Sequence, residues 1–573
     1  MEPITSRVWL PRNPPSEDTA ALSSALDIPG LAALILAQRN LTEDSQVAVY
    51  LEGSLADLPD PSTLPGMTSA AERVARAVIA REPVMVHGDY DVDGITGTAL
   101  LVDFLRQCDA VVDYHIPLRL RDGYGLSGEA LKAAAAGGVK LVISVDCGIS
   151  ALAEAELARQ LGLDLVITDH HQPGETLPVA TALVNPCLEQ GDFPDNELAG
   201  VGVAFFLAVA VRRWLRSAGH FKSGKEPDLR TLLDLAALGT VADVVPLRKV
   251  NRLLVKKGLE WMTQAPRCGI AALLEISGVT RVSCGSVGFQ LAPRLNAAGR
   301  LEDAALGVEL LLSEDRVKAL ETARQLDLFN RERREIEHAT LDEAIEMVCA
   351  LPESNRSIVL SAEHWHPGVI GIVASRLVER YHRPTLLIAC SGGVGKGSAR
   401  SVPGFHLYSA LCSCASHLEG FGGHAAAAGF SLQSDLVGVF AQAFEAVCQG
   451  DSDLVSMQPR IRFDVEAELT ECDMSLATTL ERFAPFGAGN PEPLVCVSNV
   501  QVQQLQTLNG GHLRFTARQE GMTLPCIAFS MAERQAEFAS SIDLLAAVQV
   551  NRWNGRQSVQ LVVKDVRPVE GGA

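Results

Sequence analysis

The chain has 573 residues, of which 47% are hydrophobic and 21% charged, with a formal net charge of −20. That length and apolar content allow two to four packed domains and exclude a mainly disordered polypeptide. The acidic balance repels polyanions at long range and excludes indiscriminate nucleic-acid binding, while leaving room for a local basic channel.

Residues Met1 to Arg7 lack the basic-then-apolar order of a secretory signal. The longest apolar run, Leu198 to Val211, is too short to span a bilayer and ends in Arg212-Arg213, so it reads as a core helix. A soluble, cytoplasmic protein without membrane association is expected. Thirteen cysteines without a CxxC suit a reducing compartment. Cys412, Cys414, His417 and His424 form the one cluster to weigh as a zinc site, and their spacing fits no common zinc module.

Residues 1 to 48 read as an N-terminal helical segment, with a helix near Gly30 to Arg39 and no chemistry. From Ala70, apolar runs at Val84 to Val86, Val111 to Ile116, Leu141 to Val145 and Leu165 to Thr168 alternate with Ala/Leu-rich helical stretches, the pattern of a parallel sheet with helices on its faces. Ligands of such sheets gather beyond the carboxyl ends of the strands.

The first run leads into His87-Gly88-Asp89-Tyr90-Asp91-Val92-Asp93-Gly94. Carboxylates this close repel one another, and burying them costs on the order of several kcal/mol unless divalent cations neutralise them. The plain alternative is a solvated acidic loop. An EF-hand is rejected, because its twelfth position would be Leu100 and an apolar strand precedes the loop. The third run ends in Asp146-Cys147-Gly148 and the fourth in Asp169-His170-His171, while a helical segment, Leu229 to Leu238, leads to Asp243. Each Asp alone reads as a helix cap or turn residue. Several segments delivering Asp or His to one sheet edge are harder to attribute to capping. The oxygen and imidazole donors, without thiolate, suit two divalent ions, Mn²⁺ or Mg²⁺, and histidine favours Mn²⁺.

Between the second and third runs, Arg119 and Arg121 precede Gly123-Tyr124-Gly125 and offer forks suited to phosphate. Pro293 to Arg300 is polar between apolar flanks, and residues 302 to about 349 follow one helical pattern that reads as a connector. A second, smaller α/β unit runs from Ser357 to about Gly450. Its Gly395 to Ser401 segment reads as an anion cradle with Lys396, Ser398 and Arg400 as donors. Short alternating runs from about 458 to 569 suggest an antiparallel barrel of OB type, with Arg514, Arg518, Arg552, Phe515 and Trp553 as candidate contacts for bases. Basic clusters at Arg212 to Arg216, Arg248 to Lys257 and Arg331 to Arg334 read as solvated helix faces.

His87-x3-Asp91-x-Asp93, Asp146, Asp169-His170-His171 and Asp243 occur in the order of the four motifs of the DHH phosphoesterase superfamily. With Pro293 to Arg300, the Gly-Gly-His at 422 to 424 and Phe486-Gly487-Ala488-Gly489-Asn490-Pro491, the chain from about residue 50 onward resembles the RecJ family of single-stranded-DNA exonucleases. The resemblance implies an α/β protein in which a parallel-sheet DHH domain (49–305) is joined by a long connector helix (306–350) to a smaller α/β DHHA1 domain (351–452). An OB-type β-barrel (453–573) follows.

It further implies that His87 and Asp91 hold one ion, that Asp93, His170 and Asp243 hold the other, and that Asp146 bridges them. Asp169 would orient the histidines, and His171 and His424 would face the scissile phosphate. Asp89 would bond to a metal ligand. Arg119, Ser398 and Arg400, with Lys396, would take the 5′ phosphate, and Asn296 and Arg300 would lie near the substrate. The implied activity is two-metal 5′-to-3′ hydrolysis of single-stranded DNA to 5′-mononucleotides in recombination and repair, with strand selectivity from a narrow channel between the two α/β domains. Partners would be single-stranded DNA, the single-strand-binding protein and a RecQ-type helicase, with the chain acting as a monomer. Two rival readings are a DHH hydrolase of short oligonucleotides or cyclic dinucleotides, and a noncatalytic strand-binding relative.

Overall fold

The computed structural model describes residues 7–12, 19–118, 123, 125–189, 192–221, 226–451, 454, 458–538 and 541–569. The chain divides into two compact units, one built chiefly on Leu10–Asn296 and Arg462–Ala573, the other on Arg324–Ile461.

The first unit contains a five-stranded sheet of β1 (Pro83–His87), β2 (Val111–His115), β3 (Leu141–Val145), β4 (Asp164–Thr168) and β5 (Ala182–Val184). Their order is β2-β1-β3-β4-β5 and every pairing is parallel. Central strand β3 is buried along its whole length, which is why the run Leu141 to Val145 is apolar at successive positions rather than alternating. Four helices bear on the site: α1 (Val92–Gln107), α2 (Gly200–Ser217), α3 (Leu233–Ala242) and α4 (Lys249–Gln264). Helix α2 is the apolar run that reads as a core helix, and its residues from Gly200 to Ala208 are all buried. Among the described residues no single helix is long and apolar enough to cross a membrane.

The second unit contains a five-stranded sheet of β6 (Ile358–Ala362), β7 (Thr385–Ser391), β8 (Val394–Arg400), β9 (Gly420–Gly423) and β10 (Ala427–Gln433), in the order β9-β10-β8-β7-β6. The last region of the chain forms β11 (Val495–Leu508), β12 (His512–Gln519), β13 (Met522–Ala528), β14 (Ser541–Trp553) and β15 (Arg556–Pro568). These close as a barrel, because β14 pairs with both β15 and β11.

Three features differ from the sequence reading. The helical pattern from 302 is not one helix: α5 (Ala292–Leu301) and α6 (Ala305–Leu312) precede α7 (Arg316–Ala350), so the long helix begins at Arg316 rather than at 306. The break at Ser313-Glu314-Asp315 is stabilised by Asp315, whose carboxylate accepts the Val317 N–H at 2.8 Å as a cap. The helix Gly30–Gln38 is not a separate segment, because its Ile35 and Leu36 share one hydrophobic core with Phe483, Val495 and Phe515 of the barrel region. Arg252, placed by its charge on a solvated face, is 3% exposed.

Helix α3 is anchored at its start by Asp234, whose buried carboxylate accepts from Arg267 Nε at 2.9 Å. Removing one partner of such a pair strands the other charge in a dry environment. Asp234→Ala should therefore destabilise the chain by about 3 kcal/mol or more. Removing the exposed Arg213–Asp60 contact should cost about 1 kcal/mol or less. Thermal unfolding of both variants checks the contrast.

Candidate active site

Strands β1, β3 and β4 and helix α3 each deliver site side chains by a different local device. After β1 the chain folds back tightly: a Cβ on Gly94 would lie 2.6 Å from the Asp89 backbone nitrogen and oxygen, so only glycine permits the turn. Asp91 caps α1, its Oδ1 accepting from Asp93 N at 2.9 Å and Gly94 N at 3.1 Å. Asp93 accepts from the first two amides of α2, Gly200 N to Oδ2 at 2.6 Å and Val201 N to Oδ1 at 2.8 Å. The N-terminus of α2 thus holds this carboxylate.

At the end of β3, Asp146 takes φ 62°, a left-handed conformation that Asp tolerates better than most residues. At the end of β4, Asp169 Oδ1 accepts from His170 N at 2.7 Å, His171 N at 3.1 Å and His171 Nδ1 at 2.7 Å, while Oδ2 accepts from Ile149 N at 2.9 Å. Asp243 stands at the C-terminal end of α3.

These residues converge. Donor atoms of Asp93, His170 and Asp243 lie within 4.8 Å of one another, as do those of Asp89, Asp91 and Asp146, and those of Asp146, His170 and His171. His170 Nε2 is 3.1 Å from Asp146 Oδ1, 3.7 Å from Asp243 Oδ2 and 3.8 Å from Asp93 Oδ2. Asp146 belongs to two of the groups, and Asp89 stands among candidate ligands rather than behind one.

His87 differs. It is fully buried at the end of β1, but its Nε2 accepts the Ser127 N–H at 3.2 Å and it belongs to none of these groups. This orientation commits Nε2 to the Ser127 amide.

Burial and like charge act together on the carboxyls. Burial, then Asp243 and Asp91, raise the Asp93 pKa far above the usual value. Burial, then Asp93 and Asp91, do the same to Asp146, and burial with Asp91 moves Asp243 up to about 6. Burial, with the His171 charge, lowers His170 to about 4, so its imidazole is neutral at pH 7. Burial opposes the charged form of His171, but its bond to Asp169 and the negative charges of Asp169, Asp243 and Asp91 together outweigh that and raise its pKa. Asp169 is likewise opposed by burial, yet His171 and the backbone amides hold its pKa low.

A divalent cation fits these residues on two observations. His170 Nε2 and Asp243 Oδ2 are buried and make no hydrogen bond, which is costly unless a further partner binds there. The available donors are carboxylate and neutral imidazole, and the buried Cys147 thiol beside them is pushed far up by burial, so it stays protonated and offers no thiolate.

Three residues of the site carried weaker signals in the sequence. Asn185, buried just after β5, donates from Nδ2 to His171 O at 2.9 Å; an Asn closing the apolar run Ala182 to Val184 could have marked it. A Cβ on Gly200 would lie 2.7 Å from Asp146 Cβ, and one on Gly239 would lie 2.9 Å from Asp93 Oδ1. Small residues opening or closing apolar helices were the only clue to either.

In the second unit, Ser398 and Arg400 sit on β8 over the start of α8 (Ile370–Tyr381), where a Cβ on Gly371 would be 2.8 Å from Ser398 Oγ and 3.1 Å from Arg400 Nη2. Lys396 is exposed on the same strand. Arg300 donates from Nη1 to Gly368 O at 2.9 Å, ahead of α8. His424 is exposed after β9, its N–H donating to Ala427 O at 2.8 Å. Asn296 is half-buried on α5. Arg119 and Arg121 lie outside the described residues. In the barrel, Trp553 is 73% exposed at a hairpin tip, Arg518 is exposed, Arg552 pairs with Glu481 and Arg514 bonds Gln506. Phe515, a candidate base contact from the sequence, is instead core, edge-on to Phe538 at 5.5 Å.

Comparison with known proteins matches the DHH family N-terminal domain to residues 83–240, the DHHA1 domain to 355–450 and the RecJ OB domain to 463–565. The single-stranded-DNA-specific exonuclease RecJ of Dickeya dadantii is 40% identical over 569 residues, spanning 95% of this chain and 96% of its own length. The chain belongs to the RecJ family. The Escherichia coli RecJ exonuclease is 38% identical over 96% of this chain and 98% of its own. The crystal structure of Thermus thermophilus RecJ in complex with Mn²⁺ matches with a TM-score of 0.83 and 31% identity, over 98% of this chain and 80% of that one. Its Mg²⁺ complex matches with a TM-score of 0.78.

Two outcomes follow for this RecJ-family site. Gly200→Ala should push Asp146 out of place and lower nuclease turnover by about 10²-fold, without loss of far-UV circular dichroism. The Asp243 carboxyl keeps its proton up to about pH 6 when folded, against about 4 when unfolded. The folded state therefore holds the extra proton, and this group's penalty on the metal-free chain grows as pH rises through that window. Mn²⁺ should relieve that penalty, so its gain in Tm should be larger at about pH 7.5 than at about pH 5.5. Equal gains at both pH values would contradict the assignment.

Proposed function

We propose that the chain is a single-stranded-DNA-specific exonuclease that hydrolyses phosphodiesters from the 5′ end and releases 5′-mononucleotides, acting with two divalent cations, Mn²⁺ or Mg²⁺, in DNA recombination and repair. The observation that carries it is that Asp146 converges with Asp89 and Asp91 in one donor group and lies 3.1 Å from His170 Nε2, which converges with Asp93 and Asp243 in another. Asp89, Asp91 and Asp146 would hold one cation, and Asp93, His170 and Asp243, with Asp146, the other. Bound there, the pair would supply charge neutralisation and Lewis acidity toward the phosphodiester.

The chain's own residues do the rest. Asp169 accepts the Nδ1–H of His171 and favours its protonated form, and in that imidazolium Nε2–H would donate to a nonbridging phosphate oxygen as negative charge grows on it. That histidine is 41% exposed in its side chain, so substrate can reach it. His424 would act in the same sense on the phosphate. Ser398 and Arg400, with Lys396 on the same strand, would bind the 5′ phosphate, because Ser398 and Arg400 lie over the first turn of α8, where the helix dipole favours an anion. Asn296 and Arg300 would position the strand.

The family resemblance supports single-strand-binding protein and a RecQ-type helicase as partners, with the chain acting as a cytoplasmic monomer. Release of nucleotides from a long 5′-phosphorylated single strand, far faster than hydrolysis of a dinucleotide, separates this reading from a small-substrate hydrolase.

Asp93→Ala and His170→Ala should each lower Mn²⁺-dependent turnover by about 10³-fold or more while strand binding is largely retained, as gel-shift and nuclease assays would show. Arg400→Ala should instead flatten the preference for 5′-phosphorylated over 5′-hydroxyl ends. An unchanged end preference would move the phosphate pocket elsewhere.

A further inference from the structure

Asp243 closes α3 with its N–H on Gly239 O at 2.9 Å. The next residue, Val244, sits at φ 66°. A β-branched side chain is strained there. Val244 is 67% exposed, so its own packing does not impose the conformation. The constraint comes from the residues that follow.

Leu247 donates its N–H to Ala488 O at 2.7 Å, and Arg248 Nε donates to Gly489 O at 3.0 Å. A Cβ on Gly487 would lie 2.8 Å from Leu247 Cδ1, and one on Gly489 would lie 2.7 Å from Pro246 Cβ. The turn therefore presses against residues 246 to 248 more closely than any side chain would allow. It is itself fixed from below. Buried Asn490 donates from Nδ2 to Phe483 O at 3.0 Å and Pro485 O at 2.8 Å, and buried Arg252 of α4 donates to Phe483 O at 2.8 Å and Ala484 O at 2.9 Å. From the opposite side, Asn251 Nδ2 donates to Pro246 O at 3.1 Å.

We propose that the Gly487–Asn490 turn is a positioning element for Asp243: by gripping residues 246 to 248 it holds Val244 in its strained conformation and the Asp243 carboxylate beside Asp93 and His170. The inference rests on the reading of Asp243 as a metal ligand. The cation held by Asp93, His170 and Asp243 then depends on a turn borne by the segment that leads into the barrel, while the group of Asp89, Asp91 and Asp146 does not. The motif Phe486 to Pro491, which has no acid, base or nucleophile, thereby gains a role in catalysis.

Calorimetric titration of the full-length chain with Mn²⁺ tests this, with thermal unfolding run alongside. The wild type should bind two ions, and Asp243→Ala should weaken one of them by about 10²-fold. Asn490→Ala should weaken the same ion by about tenfold and leave the other within about twofold; Arg248→Ala, at an exposed side chain, should weaken it by about threefold. Adding Val244→Asn to Asn490→Ala should restore most of the lost affinity, because Asn accepts the left-handed backbone without strain.

A turn with only a structural role would lower Tm and leave both affinities unchanged. That result in Asn490→Ala and Arg248→Ala overturns the proposal, and Arg248→Ala decides alone if Asn490→Ala does not fold. If Asp243→Ala itself changes neither affinity, the ligand assignment fails, and the proposal fails with it.

Discussion

Mutual repulsion among buried carboxylates is the constraint to which the first unit is built. Asp89, Asp93, Asp146 and Asp169 are almost fully buried and Asp91 and Asp243 lie close by. The fold meets part of this cost with backbone amides: the first turns of α1 and α2 donate to Asp91 and Asp93, and three amides donate to Asp169. Amide donors stabilise a carboxylate but carry no net charge, so they leave Asp93, Asp146 and Asp243 with pKa values above the normal range. Cations can remove the remainder. The same arrangement that destabilises the metal-free chain would give it affinity for two divalent ions.

Asp169 shows the contrary case within the same cluster. Its amides and His171 outweigh burial, and it remains ionised. A carboxylate committed to four hydrogen bonds has few lone pairs left for a metal, whereas His170 Nε2 and Asp243 Oδ2 make none. The proposed split between orienting and ligating residues thus follows from which oxygens and nitrogens the backbone has already claimed.

The parallel sheet was legible because β1, β3 and β4 are covered on both faces and so read as continuous apolar runs, with the acidic residues just beyond them. What escaped was set by contacts distant in sequence. Nothing near Asp93 shows that its carboxylate is held by amides at Gly200 and Val201. The shared core of the helix Gly30–Gln38 and the barrel joins the two ends of the chain, and no local pattern encodes that. Phe515 and Trp553 have equal claims by composition, but alternation along β12 turns Phe515 inward while Trp553 lies at a hairpin tip. Arg252 looked solvated because its acceptors are main-chain carbonyls, which leave no mark in a sequence. His87 carried the spacing of a ligand, and the Ser127 amide that takes its Nε2 leaves no mark in the sequence.

The central claim is that acidic and imidazole groups from four segments share a pair of cations through Asp146. Anomalous diffraction at the manganese edge, from a crystal of the chain grown with Mn²⁺, tests it most directly. The account predicts two peaks, one among Asp89, Asp91 and Asp146 and one among Asp93, His170 and Asp243, with the Asp146 carboxylate touching both. A single peak, or peaks away from Asp146, would contradict it.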